Sequence, residues 1–488
     1  MIRFSTWCAR ALALGVSLVL TGCAVGPDYH RPAPPAAQAY TAAAPDIDGG
    51  AQHFVRDMDI PGQWWTLFHS QPLNGLIDDA LKNNPDAAAA QAALKAAWEN
   101  VHAQRGFYWP SVAASVDPTR QKIAGTLASP ASSGASFYDL TTAQVSVSYT
   151  PDIWGANRRA VESLVAQADA QRFQLEATYL TLTTNLVNAA IQEASLRAQM
   201  AATQDMIDSQ SKILQTIQKQ SGAGDASEGA VAAQQAALEL TRAGLPPLRK
   251  QLALQRDALA VLTGRTPDQE LGAQFTLDSL QLPQDLPLTL PARLVEQRPD
   301  VRMADAQLHA ACAQVGVAFA ARLPNINITA SWGSATDQMH TLFGSGTGFW
   351  NIGAAVTAPL FDGGTLKHKQ RAAEAAYKQA AEQYRSTVLS ALQNVADTLH
   401  ALQADADAMT AVARAEQAAA RSFDIAQKQY AVGDISMVSL LNAQLTYRQA
   451  QLSLIQARAA RYADTVALFQ ALGGGWWNRH DVALRALL

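Results

Sequence analysis

Nine histidines, three cysteines and 41 acidic residues are spread along 488 positions, and none of them falls into a spacing that catalysis or metal binding requires. There is no His-Glu-x-x-His pair, no phosphate-binding Gly loop, no paired Cys motif and no Gly-x-Ser-x-Gly elbow. His69, His102, His309, His340, His368, His400 and His480 show no ligand spacing, so no metal is expected. Gly363-Gly364 lacks the rest of a nucleotide loop and reads as a strand-to-helix turn. The expectation is a protein without catalytic residues or a cofactor. A formal charge of −4, with Lys and Arg never gathered into a long block, also argues against a nucleic-acid partner.

The one position marked for covalent chemistry is Cys23. Arg3 and Arg10 precede an apolar run, Ala11 to Leu20, too short for a membrane helix of about 20 residues but right for a signal-peptide core. The run ends in Leu20-Thr21-Gly22-Cys23, which resembles the lipobox of bacterial lipoproteins. That resemblance implies cleavage before Cys23 and acylation of its sulfur. Ala24 follows, where inner-membrane retention would need Asp, so the implied destination is the outer membrane. Loss of residues 1–22 removes Arg3 and Arg10 and takes the charge from −4 to −6. With Cys8 discarded and Cys23 acylated, Cys312 has no partner for an intramolecular disulfide and reads as a small buried apolar residue.

Hydrophobic residues make up 49% and charged residues 16%, and Ala carries much of the apolar share, which suits closely packed helices. Residues from Pro27 to Gly62 read as an extended strap, with order beginning near Trp64-Trp65. The chain then repeats itself once. Asn84-Pro85-Asp86 and Arg298-Pro299-Asp300 stand 214 apart, as do Trp109-Pro110-Ser111 and Leu323-Pro324-Asn325. Gly155 and Gly363 are 208 apart, Gly224-Asp225 and Gly433-Asp434 are 209 apart, and Gly264 and Gly474 are 210 apart. The domains expected are a signal peptide at 1–22, a lipid-anchored segment at 23–62, repeats at 63–275 and 276–475, and a tail at 476–488.

Each repeat reads as helix, strand pair, very long helix, turn and helix. Residues 156–221 and 365–432 lack both Gly and Pro, so each can run as one helix of roughly 100 Å at about 1.5 Å per residue. Val388, Leu392, Val395, Leu399 and Leu402 recur with coiled-coil spacing, and the aligned Leu180, Thr184, Val187, Ile191 and Ala194 are smaller. The partner helices are expected over about 225–263, kinked at Pro246-Pro247, and 435–472 without interruption. Strands are expected from alternation: Val145, Val147 and Tyr149 in one, Ile326, Ile328, Ala330 and Trp332 in another, with 111–117 and 352–360 as the other two. Aromatics near strand ends, Trp109 and Trp350 among them, sit as interfacial girdles do. Four strands cannot close a membrane barrel, which needs about eight, whereas three chains would supply 12. The residues alone also fit a lipid-anchored, adhesin-like or structural periplasmic coiled coil without a pore.

This arrangement resembles the TolC-like outer-membrane efflux factors, in the lipoprotein branch called the OprM or NodT type. The resemblance is carried by Cys23-Ala24-Val25-Gly26-Pro27-Asp28-Tyr29, Trp64-Trp65, the Asn84 and Arg298 motifs, Tyr430-Ala431-Val432-Gly433 and Ala471-Leu472-Gly473-Gly474-Gly475-Trp476. It implies a mainly α fold with a transmembrane β part, in which a homotrimer shares a β-barrel and extends a long α-helical coiled-coil barrel into the periplasm. The implied role is a passive exit duct of a tripartite pump, fed by an inner-membrane transporter and a periplasmic adaptor, with outer-membrane lipid around it. The family's aperture falls on Val438, Ser439 and Asn442, where this chain has no acid in place of the usual carboxylates. Gly224, Asp225, Tyr430, Gly433 and Asp434 are the implied adaptor-contact tips.

Overall fold

The structure is a computed structural model that describes residues 24–33, 37, 39–41, 52–122, 124 and 137–479. The signal peptide, Cys23 and the tail beyond residue 479 lie outside the described residues. In chain order the strands are β1 (His53–Arg56), β2 (Ser111–Lys122), β3 (Phe137–Tyr149), β4 (Asp285–Leu288), β5 (Asn325–Thr336) and β6 (Gly348–Thr357). The helices are α1 (Gln71–Asn83), α2 (Pro85–Arg105), α3 (Ala156–Gly222), α4 (Glu228–Arg242), α5 (Leu245–Leu262), α6 (Pro291–Gln297), α7 (Pro299–Ala320), α8 (Thr365–Ala431) and α9 (Met437–Ala471).

The chain divides into two compact units, Met1–Arg31 with Lys95–Ala170 and Asp305–Gln383, and Pro32–Leu94 with Gln171–Ala304 and Tyr384–Leu488. The first holds a four-stranded antiparallel sheet in the order β2-β3-β5-β6. The strand ends differ from expectation, most at β2 and β6. β2 continues past residue 117 to Lys122, because its polar second half finds backbone partners on Phe137 to Thr141 of β3. β6 starts at Gly348 and stops at Thr357, so the expected 352–360 is displaced: Phe349 and Trp350 pair with β5, and Pro359 lacks the N–H a ladder needs.

In the second unit the core gathers Trp64, Trp65, Phe68, Leu73, Ile77, Tyr179, Phe275 and Phe469, all buried. The long helices close their seams as the heptads require. Val388, Val395, Leu399 and Leu402 are buried, Ala391 takes the buried place beside half-exposed Leu392, and Thr184, Val187, Ile191 and Ala194 are buried in the first repeat. The strap expected up to Gly62 is folded from Gln52 onward. β1 lies parallel to β4, and the Gln52 amide donates to Pro283 O (2.8 Å) and Thr465 Oγ1 (3.2 Å). The helix expected across 225–263 is two helices, since Pro246 and Pro247 offer no N–H to the preceding turn but suit the first turn of α5.

The repeat markers have a common physical role. Asn84 caps α2 by accepting from Asp86 N and Ala87 N, and its amide donates to Leu262 O at 3.0 Å. Arg298 takes the matching place in the second repeat and donates to Ala471 O at 2.9 Å. Gly264 and Gly473 end the helices so held in left-handed turns, with Arg265 N→Ala260 O (2.9 Å) and Gly474 N→Phe469 O (2.8 Å).

Candidate functional site

The sheet of the first unit has two different faces, each continuous across the strands. On one, Val112, Val147, Ala330 and Ile352 form a register row, and Ala114, Val145, Trp332 and Trp350 form the next. On the other, Ala113, Ser146, Ser331 and Asn351 share a row, followed by Ser111, Ser148, Thr329 and Gly353. Ile352 is 74% exposed and Trp350 72% exposed, so these two rows are uncovered within the chain, whereas Ala143 and Ser334 of the next row are buried. Among the described residues its outer strands, β2 and β6, each pair on one side only. An uncovered apolar face with a polar reverse is the surface of a membrane barrel wall, lipid outside and water within. Among the described residues no helix is long and apolar enough to cross a membrane.

Residues 24–31 are fastened within the same unit. Val25 N donates to Trp154 O (3.0 Å), and Arg159 donates from Nε to Val25 O (3.1 Å) and from Nη2 to Asp28 Oδ1 (2.7 Å). Arg159 also pairs with Glu162 at 2.8 Å, and Glu162 holds His309 at 2.9 Å. The Tyr29 ring stacks on His309 with centroids 4.3 Å apart, and the Tyr29 hydroxyl donates to Asp305, which pairs with Arg31 at 3.0 Å. A Cβ on Gly26 would overlap the backbone of Gly316, so only glycine lets the segment approach α7. The Arg159 hydrogen bond holds the Asp28 carboxyl below its usual range, and burial pushes the Cys312 thiol up. Arg159, Glu162 and Asp305 carry no recognisable spacing in the sequence and were not singled out there. Gly26, Asp28 and Tyr29 were quoted there only as parts of a motif.

The two tip turns share one construction. After α3, Asp225 N donates to Gln220 O (2.8 Å) around Gly224 at φ 84°, and after α8, Asp434 N donates to Gln429 O (2.9 Å) around Gly433 at φ 80°. Ser227 and Ser436 then cap the next helices by accepting from Ala230 N and Ser439 N, each at 3.2 Å. Asp225 and Asp434 are exposed. Tyr430 packs against the buried cluster of Phe423, Ala426 and Leu440, and that burial raises its hydroxyl pKa. Val438 and Asn442 are exposed one turn apart on α9, while the Ser439 hydroxyl lies 3.0 Å from that of Ser436 within the cap.

A polar group inside the second unit was not anticipated. Asp405 on α8 and Asp464 on α9 share a hydrogen bond beside buried Arg461, which donates to Gln52 Oε1 (2.9 Å) and Leu402 O (3.4 Å). Burial, reinforced by the Asp464 carboxyl, pushes Asp405 up to about 7. A carboxyl whose pKa is higher folded than unfolded favours folding below its unfolded value near 3.8, and that contribution is lost as pH rises through about 7. Asp405→Asn should therefore raise the thermal midpoint more at pH 8 than at pH 5. Equal gains at both pH values, measured by scanning fluorimetry, would contradict the assignment.

The family model for outer membrane efflux proteins matches residues 76–265 and 290–474. The chain belongs to the outer membrane efflux protein family. The pyoverdine export outer membrane protein OpmQ of Pseudomonas aeruginosa is 30% identical over 417 residues, covering 85% of this chain and 87% of OpmQ. The probable efflux pump outer membrane protein TtgC of Pseudomonas putida is 28% identical over 476 residues, 96% of each chain. The solved structure of the outer-membrane channel OprN superposes with a TM-score of 0.84 at 25% identity, over 93% of this chain and all of that one. As a member of the family, this chain is an outer-membrane channel component of a tripartite efflux pump. The reading as a coiled coil without a pore is set aside.

Proposed function

We propose that three copies of the chain share one β-barrel and form a passive exit duct, doing no bond chemistry of its own. The observation that carries this reading is the sheet: four strands, one uncovered apolar face, one polar face and two singly paired edges. An exposed strand edge in lipid leaves backbone groups unsatisfied at several kcal/mol each, so closure by like strands is the low-energy solution. Three chains supply 12 strands, within the range of known barrels. Single-channel recording in planar bilayers tests the duct: discrete current steps are expected, and their absence would contradict it.

Solutes then reach the duct from an inner-membrane transporter through a periplasmic adaptor. Gly224, Asp225, Tyr430, Gly433 and Asp434 are proposed as the adaptor-contact tips, where exposed Asp225 and Asp434 follow the two left-handed glycines. Cys23 is proposed as the acylated first residue of the mature chain, and the fastening of residues 24–31 would hold that anchor to the first unit. An acyl chain on its own gives only reversible membrane binding, so the barrel rather than the lipid keeps the protein in place.

Val438, Ser439 and Asn442 are proposed to line the aperture. Val438 and Asn442 project from one face of α9, and the cap bond of Ser439 leaves Asn442 as the more available polar group. Asn442→Asp would place three like charges near one another, which favours an open aperture and creates a divalent-cation site. Closed and open states of such a duct differ by a few kcal/mol, so about tenfold in open probability is within reach of one substitution acting in three chains. The expected record is more frequent opening without divalent cations and block on adding magnesium. Unchanged conductance and unchanged cation sensitivity would remove Asn442 from the aperture.

A further inference from the structure

We propose that a basic groove beside the tip of the second repeat makes the entrance of the duct prefer anions. The proposal rests on the reading of this hairpin as the periplasmic entrance. The last turns of α8 present two adjacent stripes. One, with Ala419, Phe423 and Ala426, is buried, and Phe423 and Ala426 pack against Leu440 of α9. The other carries Arg414, Arg421 and Gln429 along a groove of about 790 Å³, faced by Ile435 and Ser439. Ser439 thus belongs both to the groove and to the proposed aperture.

Among the described residues no carboxylate lines this groove. Arg414 and Arg421 are exposed, and neither makes an ion pair with another described residue. The acids of the same hairpin stand outside the groove lining. Asp424 pairs with Lys428 at 2.6 Å, Asp434 accepts from the Gln429 amide at 3.3 Å, and Glu416 acts on the Tyr447 hydroxyl. The first eleven residues of α9, Met437 to Tyr447, carry no charge. The fixed charges of the groove are therefore two guanidiniums, seven residues and about 10 Å apart along the helix.

Two unpaired guanidiniums of one sign, each acting over about 8 Å at physiological salt, raise the local concentration of anions along the groove. Arg does not lose its proton in the physiological range, so the preference should not titrate. Its planar fork also matches carboxylate, phosphate and sulfonate groups, which makes solutes carrying them the class this entrance favours. An acidic ring at the aperture would oppose such a field. Ser439 and Asn442 put no such ring there, which leaves Asp434, bonded to Gln429 at the end of the groove, as the nearest opposing charge.

The test is the reversal potential of single channels under a tenfold KCl gradient. Wild type should pass chloride in preference to potassium, and the preference should be the same at pH 6 and pH 8. The double variant Arg414→Gln with Arg421→Gln should lower the chloride-to-potassium permeability ratio by roughly threefold, and Arg414→Lys with Arg421→Lys should keep it. A potassium-preferring wild type, or a ratio unmoved by the Gln pair, would overturn the proposal while leaving the duct intact. Absence of current steps in the wild type would instead overturn the duct, and this proposal with it.

Discussion

Replacing Ile352 by arginine is expected to keep the protein out of the outer membrane. Ile352 belongs to the row Val112, Val147, Ala330 and Ile352 on the apolar face, and it is 74% exposed within the chain. An Arg on the lipid face costs about 2–4 kcal/mol at the bilayer midplane, and a shared barrel would incur that cost three times. The neighbouring position is the control. Asn351 pairs with Ser331 on the opposite face, where water lines the wall, so Asn351→Arg should assemble and alter conduction instead. Quantifying each variant in outer-membrane fractions checks the assignment of faces. At least a tenfold loss is expected for Ile352→Arg and little loss for Asn351→Arg. The reverse pattern would mean that lumen and lipid sides are exchanged.

Truncating Trp64 should produce the largest stability loss in the second unit. Trp64 is 1% exposed, stacks on Phe469 with centroids 5.4 Å apart, and meets Trp65 and Phe68 edge-on at 6.2 and 6.3 Å. Gly474, in its left-handed turn beside the ring, leaves room for Leu180: a Cβ there would overlap Leu180 Cδ1. Trp64→Ala removes a large buried ring that its rigid neighbours cannot replace, at a cost of about 3–5 kcal/mol. Trp64→Phe should recover more than half of that. Thermal unfolding in detergent, followed by near-ultraviolet circular dichroism, reads both. An unchanged midpoint for the Ala variant would contradict the core as described.

The parts of this architecture that were legible in the sequence are those set by periodicity and by obligatory residues. The absence of Gly and Pro placed both 67-residue helices to within a residue, because nothing else interrupts a helix of that length. Alternation found the faces of β3 and β5. It missed the second half of β2, where Pro118, Thr119 and Arg120 have no strand pattern and pair only because β3 runs alongside. The β1–β4 pair was equally silent, since four residues from each of two distant segments carry no period.

The same division applies to the candidate sites. The tip turns were visible because Gly-Asp recurs at one offset and a positive φ demands Gly. The fastening of residues 24–31 was not, because Asp28 with Arg159 and Tyr29 with Asp305 join positions separated by 131 and 276 residues. Asp405 and Asp464 sit on different helices, and only folding makes them neighbours. Charge alone could have pointed to Arg414 and Arg421, whose seven-residue spacing puts them on one face, but heptad-spaced Arg is also what any solvated helix shows.

Whether the barrel is shared is decided by the native mass of the species that conducts. Purified from the outer membrane in detergent and reconstituted in planar bilayers, the conducting fraction should contain three copies of the chain, matching four strands each in a 12-stranded wall. A monomer or a dimer that passes discrete current steps would contradict both the shared barrel and the duct built on it.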